Sequence, residues 1–458
     1  MSTELVTTIF NMQESEQKRR TIVLGTGLSG VSVARFLNTR GEDFVVADTR
    51  ENPPNEDKIS QEFPDIEKFF GGLNAINPQD YSELVVSPGL PLDEPLVKLA
   101  GAAGLSVIGD IELFYRYAKA PLIAVTGSNG KSSVVTLVTD ILKEAGLTAY
   151  CGGNIGMPAL DLLALPTPDY YVLELSSFQL ETTALFAPEI AALLNVSPDH
   201  MDRYASFQEY RAAKLNIFKL AKHCVVNSTE RFGITKTEGN VLTFSADTAT
   251  SANYRLAEVS GGYALQKNDG EKIATTNLTL AGEHHFENAL CALAITDTAG
   301  VPVDAQASAL ANFRGLEHRT EVVGEWDSVR WINDSKGTNV GATVAALKAC
   351  LQHNNGILIA GGVGKGADFT LLGETIAICT KAVVLFGEDA KVIAASIPQH
   401  VPVSFANNLK DAVCLAKQQA IPGDTVLFSP ACASFDMFEN YEARGRAFKQ
   451  LVRVEVAE

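Results

Sequence analysis

The residues that most demand a chemical explanation are Thr126-Gly127-Ser128-Asn129-Gly130-Lys131-Ser132-Ser133. An apolar run at 122–125 precedes them, and a helix-like apolar run at 134–142 follows. A strand, a Gly-Lys-Ser loop and a helix form a phosphate cradle. Loop N–H groups wrap phosphate oxygens, Lys131 neutralises their charge, and the Ser132 hydroxyl can ligate Mg²⁺. The first glycine is Gly127, because Val125 stands five residues before Gly130. The loop is therefore shorter than the usual Walker pattern. ATP is the expected ligand, with Gly127, Ser128, Asn129, Gly130, Lys131, Ser132 and Ser133 around its phosphates.

Two further clusters end strand-like runs. Glu174 closes the run at 170–175, and strand ends in an open parallel sheet face the ligand crevice. That placement suits an acid holding Mg²⁺. Asp199-His200-Met201-Asp202 follows another apolar run. A lone histidine is more often structural, but beside a phosphate loop and an acid His200 reads as a metal ligand. Lys214 falls in a helix expected at 210–220, where its chemistry alone suggests a solvated lysine.

A second glycine loop, Gly25-Thr26-Gly27-Leu28-Ser29-Gly30, joins a strand at 21–24 to a helix at 31–38, with Asp48 eighteen residues on. Glycines permit a tight turn and close backbone approach, and the helix start offers N–H groups to a diphosphate. Three readings stay open at this level: NAD or FAD, another nucleotide diphosphate, or a structural turn. Ser87-Pro88-Gly89 ends a later strand and is either a second anion-binding turn or a turn only.

These motifs need strands to carry them. Short buried strands at 21–24, 44–47 and 84–86 alternate with helices, the signature of a parallel sheet. A second series comprises 122–125, 170–175, 190–195 and 223–227, and 240–280 reads as antiparallel strands at its edge. A third comprises 328–333, 356–360, 381–386, 401–405 and 424–429. With 458 residues and roughly 150 per domain, three α/β domains are expected at 1–109, 110–315 and 316–458. The first and third are Rossmann-like, and the central one is a P-loop ATPase-like, mainly parallel sheet.

A net charge of −17 argues against nucleic-acid and anionic-membrane partners. No apolar run approaches the ~20 residues of a membrane span. The seven cysteines include no C-x-x-C pair, so free thiols in a reducing cytoplasm are expected. The first twenty residues read as a polar leader.

With these blocks go Gly152-Gly153-Asn154-Ile155-Gly156, Leu316-Glu317-His318-Arg319, Asn333-Asp334-Ser335-Lys336-Gly337-Thr338-Asn339, Gly364-Lys365-Gly366-Ala367-Asp368-Phe369 and Ser429-Pro430-Ala431-Cys432-Ala433-Ser434. Together they resemble the Mur ligases from about Thr21 onward. The phosphate-loop half of the set is shared with folylpolyglutamate synthases. The Asn-Asp-Ser-Lys and Ser-Pro-Ala-Cys-Ala-Ser blocks resemble the members that add D-glutamate.

The resemblance implies that the first domain grips the UDP of a sugar substrate. Leu28, Ser29, Asp48, Thr49, Arg50, Ser87 and Gly89 would line that site, with Asn154 touching the substrate from the middle domain. It implies that Lys214 is carbamylated, so that a cation becomes an oxygen ligand suited to Mg²⁺. Ser132, Glu174, His200 and the Lys214 carbamate would serve two Mg²⁺ ions, and Lys131, His200 and Lys214 would be the catalytic set. Asn288, Arg319, Asp334 and Lys336 would meet ATP, and Thr338, Lys365, Ser434 and Tyr441 would receive D-glutamate. Two positions depart from the family. His285 replaces the usual Asn and is given no role; Tyr441 replaces a Phe, keeping the aromatic face and adding a hydroxyl.

The implied reaction is a two-step ligation by a monomer, with UDP-N-acetylmuramoyl-L-alanine and D-glutamate as substrates. ATP activates a carboxylate as an acyl phosphate, and the amine then displaces phosphate. A folylpolyglutamate-type ligase, a non-catalytic nucleotide-binding regulator and an NAD oxidoreductase are the rival readings.

Overall fold

The computed structural model describes residues 20–229, 240–260, 262–267, 270–278, 282–351 and 355–456. The leader before residue 20 lies outside them. The chain forms three mainly parallel α/β sheets, as the alternation of apolar runs requires. Contacts divide it into two units. One runs to Lys119 and includes Gly152–Thr167 and Phe178–Phe186; the other comprises Ala120–Cys151, Pro168–Ser177 and everything from Ala187.

The first unit holds a five-stranded parallel sheet in the order Lys68–Phe70, Asp43–Asp48, Arg20–Leu24, Glu83–Val86, Ser106–Ile108. Its central strands are near-continuous β-branched and apolar runs because helices cover both faces. Ile22, Leu24, Val45, Ala47, Leu84 and Val86 form the core of one face.

The second sheet has nine strands. Leu122–Thr126 lies at its heart, parallel to Tyr170–Glu174 on one side and Ile190–Leu193 on the other. The expected antiparallel edge at 240–280 is corrected in part. Asn240–Ser245 runs parallel to both its neighbours, and antiparallel pairing begins only between Tyr254–Val259 and Gly262–Lys267. Burial in this strand deepens from its exposed start at Asn240 to its buried end at Ser245, a pattern that carries no information on direction.

The third sheet runs Glu321–Trp326, Val329–Asn333, Thr425–Phe428, Gly356–Gly361, Thr380–Phe386, Val403–Phe405. Only the first pair is antiparallel. The strand Glu321–Trp326 went unread. Its turn is the two residues Asp327 and Ser328, both at positive φ, which is the geometry of a tight hairpin without its usual glycine.

Glycine is required at the first loop. Gly25 has φ +99°, and a Cβ on Gly30 would sit 1.8 Å from the Gly25 carbonyl oxygen. The helix Leu28–Thr39 therefore starts pressed against the loop. Nothing lies within 4 Å of a Cβ on Gly27, which leaves that face open to a ligand. Gly30→Ala should lower stability by ~1–3 kcal/mol, read as a reduced thermal midpoint, whereas Gly27→Ala should leave the midpoint near the parent value.

Candidate active site

Register sets the first pair of functional groups. Val125 pairs with Glu174 and Thr126 with Leu193, so the acid lies beside the residue that leads into the phosphate loop. The helix Lys131–Glu144 begins directly after the loop, and its first N–H groups have no partner within the helix. Gly130 stands at φ +85°, and a Cβ there would meet the Asn288 Oδ1 at 2.4 Å. Asn288 is thus held against the loop. The Lys131 Nζ folds back onto the carbonyls of Gly127 and Ser128, at 2.9 and 3.0 Å.

Glu174 is buried, and the Ser132 Oγ donates to its Oε2 at 2.5 Å. The Arg319 guanidinium donates to the same Ser132 oxygen at 2.6 Å. A residue following the helix Val303–Asn312 is thereby joined to the phosphate loop. Burial, with Arg319 and Lys131 nearby, brings Lys336 down to about 7 despite the opposing pull of Glu174. Its Nζ lies 3.8 Å from the centre of the Tyr441 ring.

The loop after Ile190–Leu193 is tied to the phosphate loop at several points. The Asn129 N–H donates to Asn195 Oδ1 at 2.8 Å, and Asn195 Nδ2 returns a bond to the Asn129 carbonyl. The Ser197 N–H donates to Ser128 Oγ, which also lies 3.0 Å from the Tyr210 hydroxyl. His200 adopts a left-handed backbone at φ +58°, an unfavourable conformation for a non-glycine residue that functional loops tend to retain. Burial lowers the pKa of its imidazole; Asp199 opposes the shift, and Lys365, Lys214 and Lys131 add to it.

Lys214 is not solvated. Its helix ends at Leu215, and the side chain is 2 % exposed. The Nζ donates to the Gly127 carbonyl at 3.0 Å and sits over the Tyr210 ring. Burial first, and Lys131 second, hold its pKa well below the ordinary lysine value. Burial among these partners thus disfavours the ammonium form of this amine.

Three loops leave the third sheet at one edge, because Asn333 and Ile359 both pair with Phe428. They carry Asp334 to Thr338, Ser429 to Ser434, and Lys365. Asp334 is buried, accepts from Ser429 Oγ at 2.6 Å and from the Thr320 N–H at 3.1 Å, and is pushed up to about 7 by burial. Ser434 is buried, and Thr338 is half-buried behind Lys336. A cavity of about 290 Å³ is lined by Asn129, Gly130, Ser133, Asn288, Arg319, Asp334 and Lys336, with His284 and His285 beside them.

In the first unit, Asp48 is fully buried and accepts from the Thr26 N–H and Oγ1 and from the Arg50 backbone and guanidinium. Burial opposes its charge, but Arg50 and Thr26 hold it down to about 2. The Ser87 Oγ donates to the Gly25 carbonyl. Leu28 is 68 % exposed, Ser29 and Thr49 are half-buried, and Gly89 and Asn154 lie in the same unit.

Comparison with known proteins accounts for this arrangement. Residues 19–109 match the Mur ligase MurD-like N-terminal domain, 125–296 the Mur ligase middle domain, and 318–432 the Mur ligase glutamate ligase domain. The UDP-N-acetylmuramoylalanine–D-glutamate ligase of Nitrosococcus oceani is 45 % identical over 434 residues, covering 94 % of this chain and 96 % of that one. The chain belongs to the Mur ligase family.

The Pseudomonas fluorescens protein of the same name is also 45 % identical, over 94 % of this Mur ligase and 97 % of its own length. Among solved structures, the pseudomurein peptide ligase type C of Methanothermus fervidus shares the fold with a TM-score of 0.63 at 16 % identity, covering 95 % of this chain and all of that one. MurF of Thermotoga maritima, solved with ADP, has a TM-score of 0.62 at 15 % identity, covering 97 % and 100 %.

Several residues of this Mur ligase escaped the sequence reading. Arg444 is buried in the last helix and donates to Ser335 Oγ and to the carbonyls of Ser335, Cys432 and Ala433. On the sequence it looks like any arginine of a charged helix. In the first unit, Asp110 is buried and bonded to Ser29 and to Gln179 Nε2, though an acid in a first helical turn ordinarily reads as a solvated cap. Tyr210 and Asn195 announce themselves only through their partners.

His285 stacks on His284 with ring centres 3.9 Å apart, and burial lowers their pKa values to about 3 and about 4. Each therefore takes up a proton more readily when the chain unfolds, near the ordinary value of about 6.5. Their contribution to stability is present above that value and lost as pH falls through the folded pKa. His285→Asn should accordingly lose less thermal midpoint than the parent between pH 7 and pH 4.

Proposed function

We propose that this Mur ligase joins the amine of D-glutamate to the carboxylate of UDP-N-acetylmuramoyl-L-alanine, a step of peptidoglycan synthesis, and converts ATP to ADP and phosphate. The observation that carries this reading is the meeting of the phosphate loop with Arg319 and Lys336 around one cavity, with Glu174 bound to the loop through Ser132. Relatives 45 % identical over nearly the whole chain, named for this reaction, support the choice of substrates.

We divide the chain at about 109 and 315 into a UDP-sugar domain, an ATP domain and an amino-acid domain. Leu28, Ser29, Thr49, Arg50, Ser87 and Gly89 hold the uridine diphosphate around the Asp48 anchor, and Asn154 contacts the sugar. ATP phosphates lie along Gly127 to Ser133, with Lys131 and Lys336 neutralising them; Asn288, Arg319 and Asp334 hold the rest of the nucleotide. Thr338, Lys365, Ser434 and Tyr441 receive D-glutamate, a dicarboxylate that needs cations and hydroxyls together.

The donor set fits Mg²⁺. Ser132 offers a hydroxyl, Glu174 a carboxylate and His200 a neutral imidazole. Among the described residues no group of three or more His, Cys, Asp or Glu could hold a metal. That suits a hard cation which keeps its waters and relies on substrate phosphates. Ser132 and Glu174 serve one ion, and Glu174, His200 and carbamylated Lys214 a second. When bound, the ions neutralise charge on the transferring phosphoryl group. Lys214 is suited to carbamylation, because burial disfavours its ammonium form and the free amine is the form that attacks CO₂, releasing a proton.

In the first step a carboxylate oxygen of the L-alanyl group attacks the γ-phosphorus and the bond to ADP breaks. In the second the D-glutamate amine attacks the acyl carbon, and phosphate leaves with the carboxylate oxygen. The protein positions the reactants and stabilises developing charge; no side-chain nucleophile is required. We place the enzyme in the cytoplasm as a monomer. Free cysteines suit that compartment, and no helix among the described residues is long and apolar enough to cross a membrane.

Substrate carboxylate labelled with ¹⁸O should deliver one label to the released phosphate. Unlabelled phosphate, or turnover with a folate acceptor in place of the UDP-sugar, would overturn the proposal. Lys214→Ala should lose activity by about 100-fold or more and regain part of it with added short carboxylic acids. Parental activity in that variant would exclude the carbamate.

A further inference from the structure

Asn339 stands at the start of the helix Val340–Cys350, and its amide makes three hydrogen bonds in three directions. The Oδ1 accepts from the Ala342 N–H at 2.9 Å, an ordinary helix cap. The Nδ2 donates to Asn129 Oδ1 at 3.3 Å and to Asp199 Oδ2 at 3.1 Å. The residue is 8 % exposed. Capping needs one side-chain oxygen, which Ser, Thr or Asp would supply equally. Of these capping residues only asparagine carries a separate N–H₂ donor group beside the capping oxygen.

The two receiving groups belong to different parts of the phosphate site. Asn129 is in the loop itself, its backbone already fixed from the other side by Asn195. Asp199 accepts from the His200 N–H and acts electrostatically on His200, Lys131 and Lys214. The helix comes close enough for this because of Gly341, where a Cβ would stand 3.1 Å from Ser197 Oγ and 3.5 Å from Asn129 Nδ2.

We propose that Asn339 is a positioning residue: its amide latches the amino-acid domain onto the phosphate loop and the Asp199–His200 loop, aligning both for phosphoryl transfer. The cap oxygen anchors the side chain to its own helix while the amide nitrogen reaches across. Docking of this helix and correct placement of Asn129 and Asp199 then become one event. Without the amide nitrogen, the Asp199 carboxylate loses a donor, and the helix loses its polar tie to the loop.

The inference rests on the ligase reading above and is tested on the full-length enzyme with Asn339→Ser, Asn339→Asp and Asn339→Ala. Serine and aspartate keep the cap oxygen and remove the amide nitrogen that reaches Asn129 and Asp199; aspartate also sets a carboxylate against Asp199. The serine variant should hold a thermal midpoint near the parent's while kcat falls about 10-fold or more, with KM for the UDP-sugar unchanged. The aspartate variant should fall further, and alanine should lose both activity and midpoint. Parental kcat in the serine variant, with only alanine impaired, would reduce Asn339 to a cap and overturn the inference. So would losses of kcat in serine and aspartate that merely follow their midpoints. A parent enzyme without ligase activity would overturn the ligase reading itself, a result distinct from either.

Discussion

The crowding of three lysines and an arginine around one buried carboxylate is the constraint on which the site depends. Lys131, Lys214 and Lys336 are all held out of water near Glu174, and the pKa of each is lowered by its burial. Arg319 joins them through Ser132. Glu174 and Asp199 cannot balance that set. Cations desolvated without matching anions are costly, and the remaining deficit is what a polyphosphate would fill. The same charges that strain the protein alone supply affinity and transition-state stabilisation when the ligand arrives.

This constraint explains why the second and third sheets present their strand ends to each other's loops. Phosphate loop, acid and imidazole come from neighbouring strands of one sheet. Lys336, Asp334 and Lys365 follow the two strands that flank Thr425–Phe428 in the other. Backbone register fixes the position of each group, and side-chain bonds such as those of Asn195 and Asp334 fix the loops between. The aromatic face of Tyr441 under Lys336 favours the charged form of an amine that burial brings down to about 7.

Much of this was legible in the residues alone. The phosphate loop and Glu174 carry their chemistry in short local patterns, and local patterns survive without coordinates. The parallel strands were equally plain, because burial on both faces leaves uninterrupted apolar runs. What could not be read depends on distance in sequence. Lys214 looked solvated because its partners, Gly127 and Lys131, lie more than eighty residues earlier. The hairpin strand Glu321–Trp326 was hidden by a turn without glycine, and the direction of Asn240–Ser245 by a burial pattern that is the same either way. The resemblance to a family filled several of these gaps, as it did for Lys214, but offered nothing for His285.

The guanidinium of Arg444 has a consequence for how this enzyme can drift. It is bonded to three carbonyl oxygens and one hydroxyl, drawn from the loops at Ser335 and at Cys432 and Ala433. A clamp of that kind reads the path of the backbone and is largely indifferent to which side chains hang from it. The loop that carries Ser434 can therefore accept other side chains while its course through space stays the same. Lysine could not take over, since one ammonium cannot span the four acceptors that a planar fork reaches at once. One side chain of the helix Tyr441–Glu455 thus sets the course of a loop far from it in sequence.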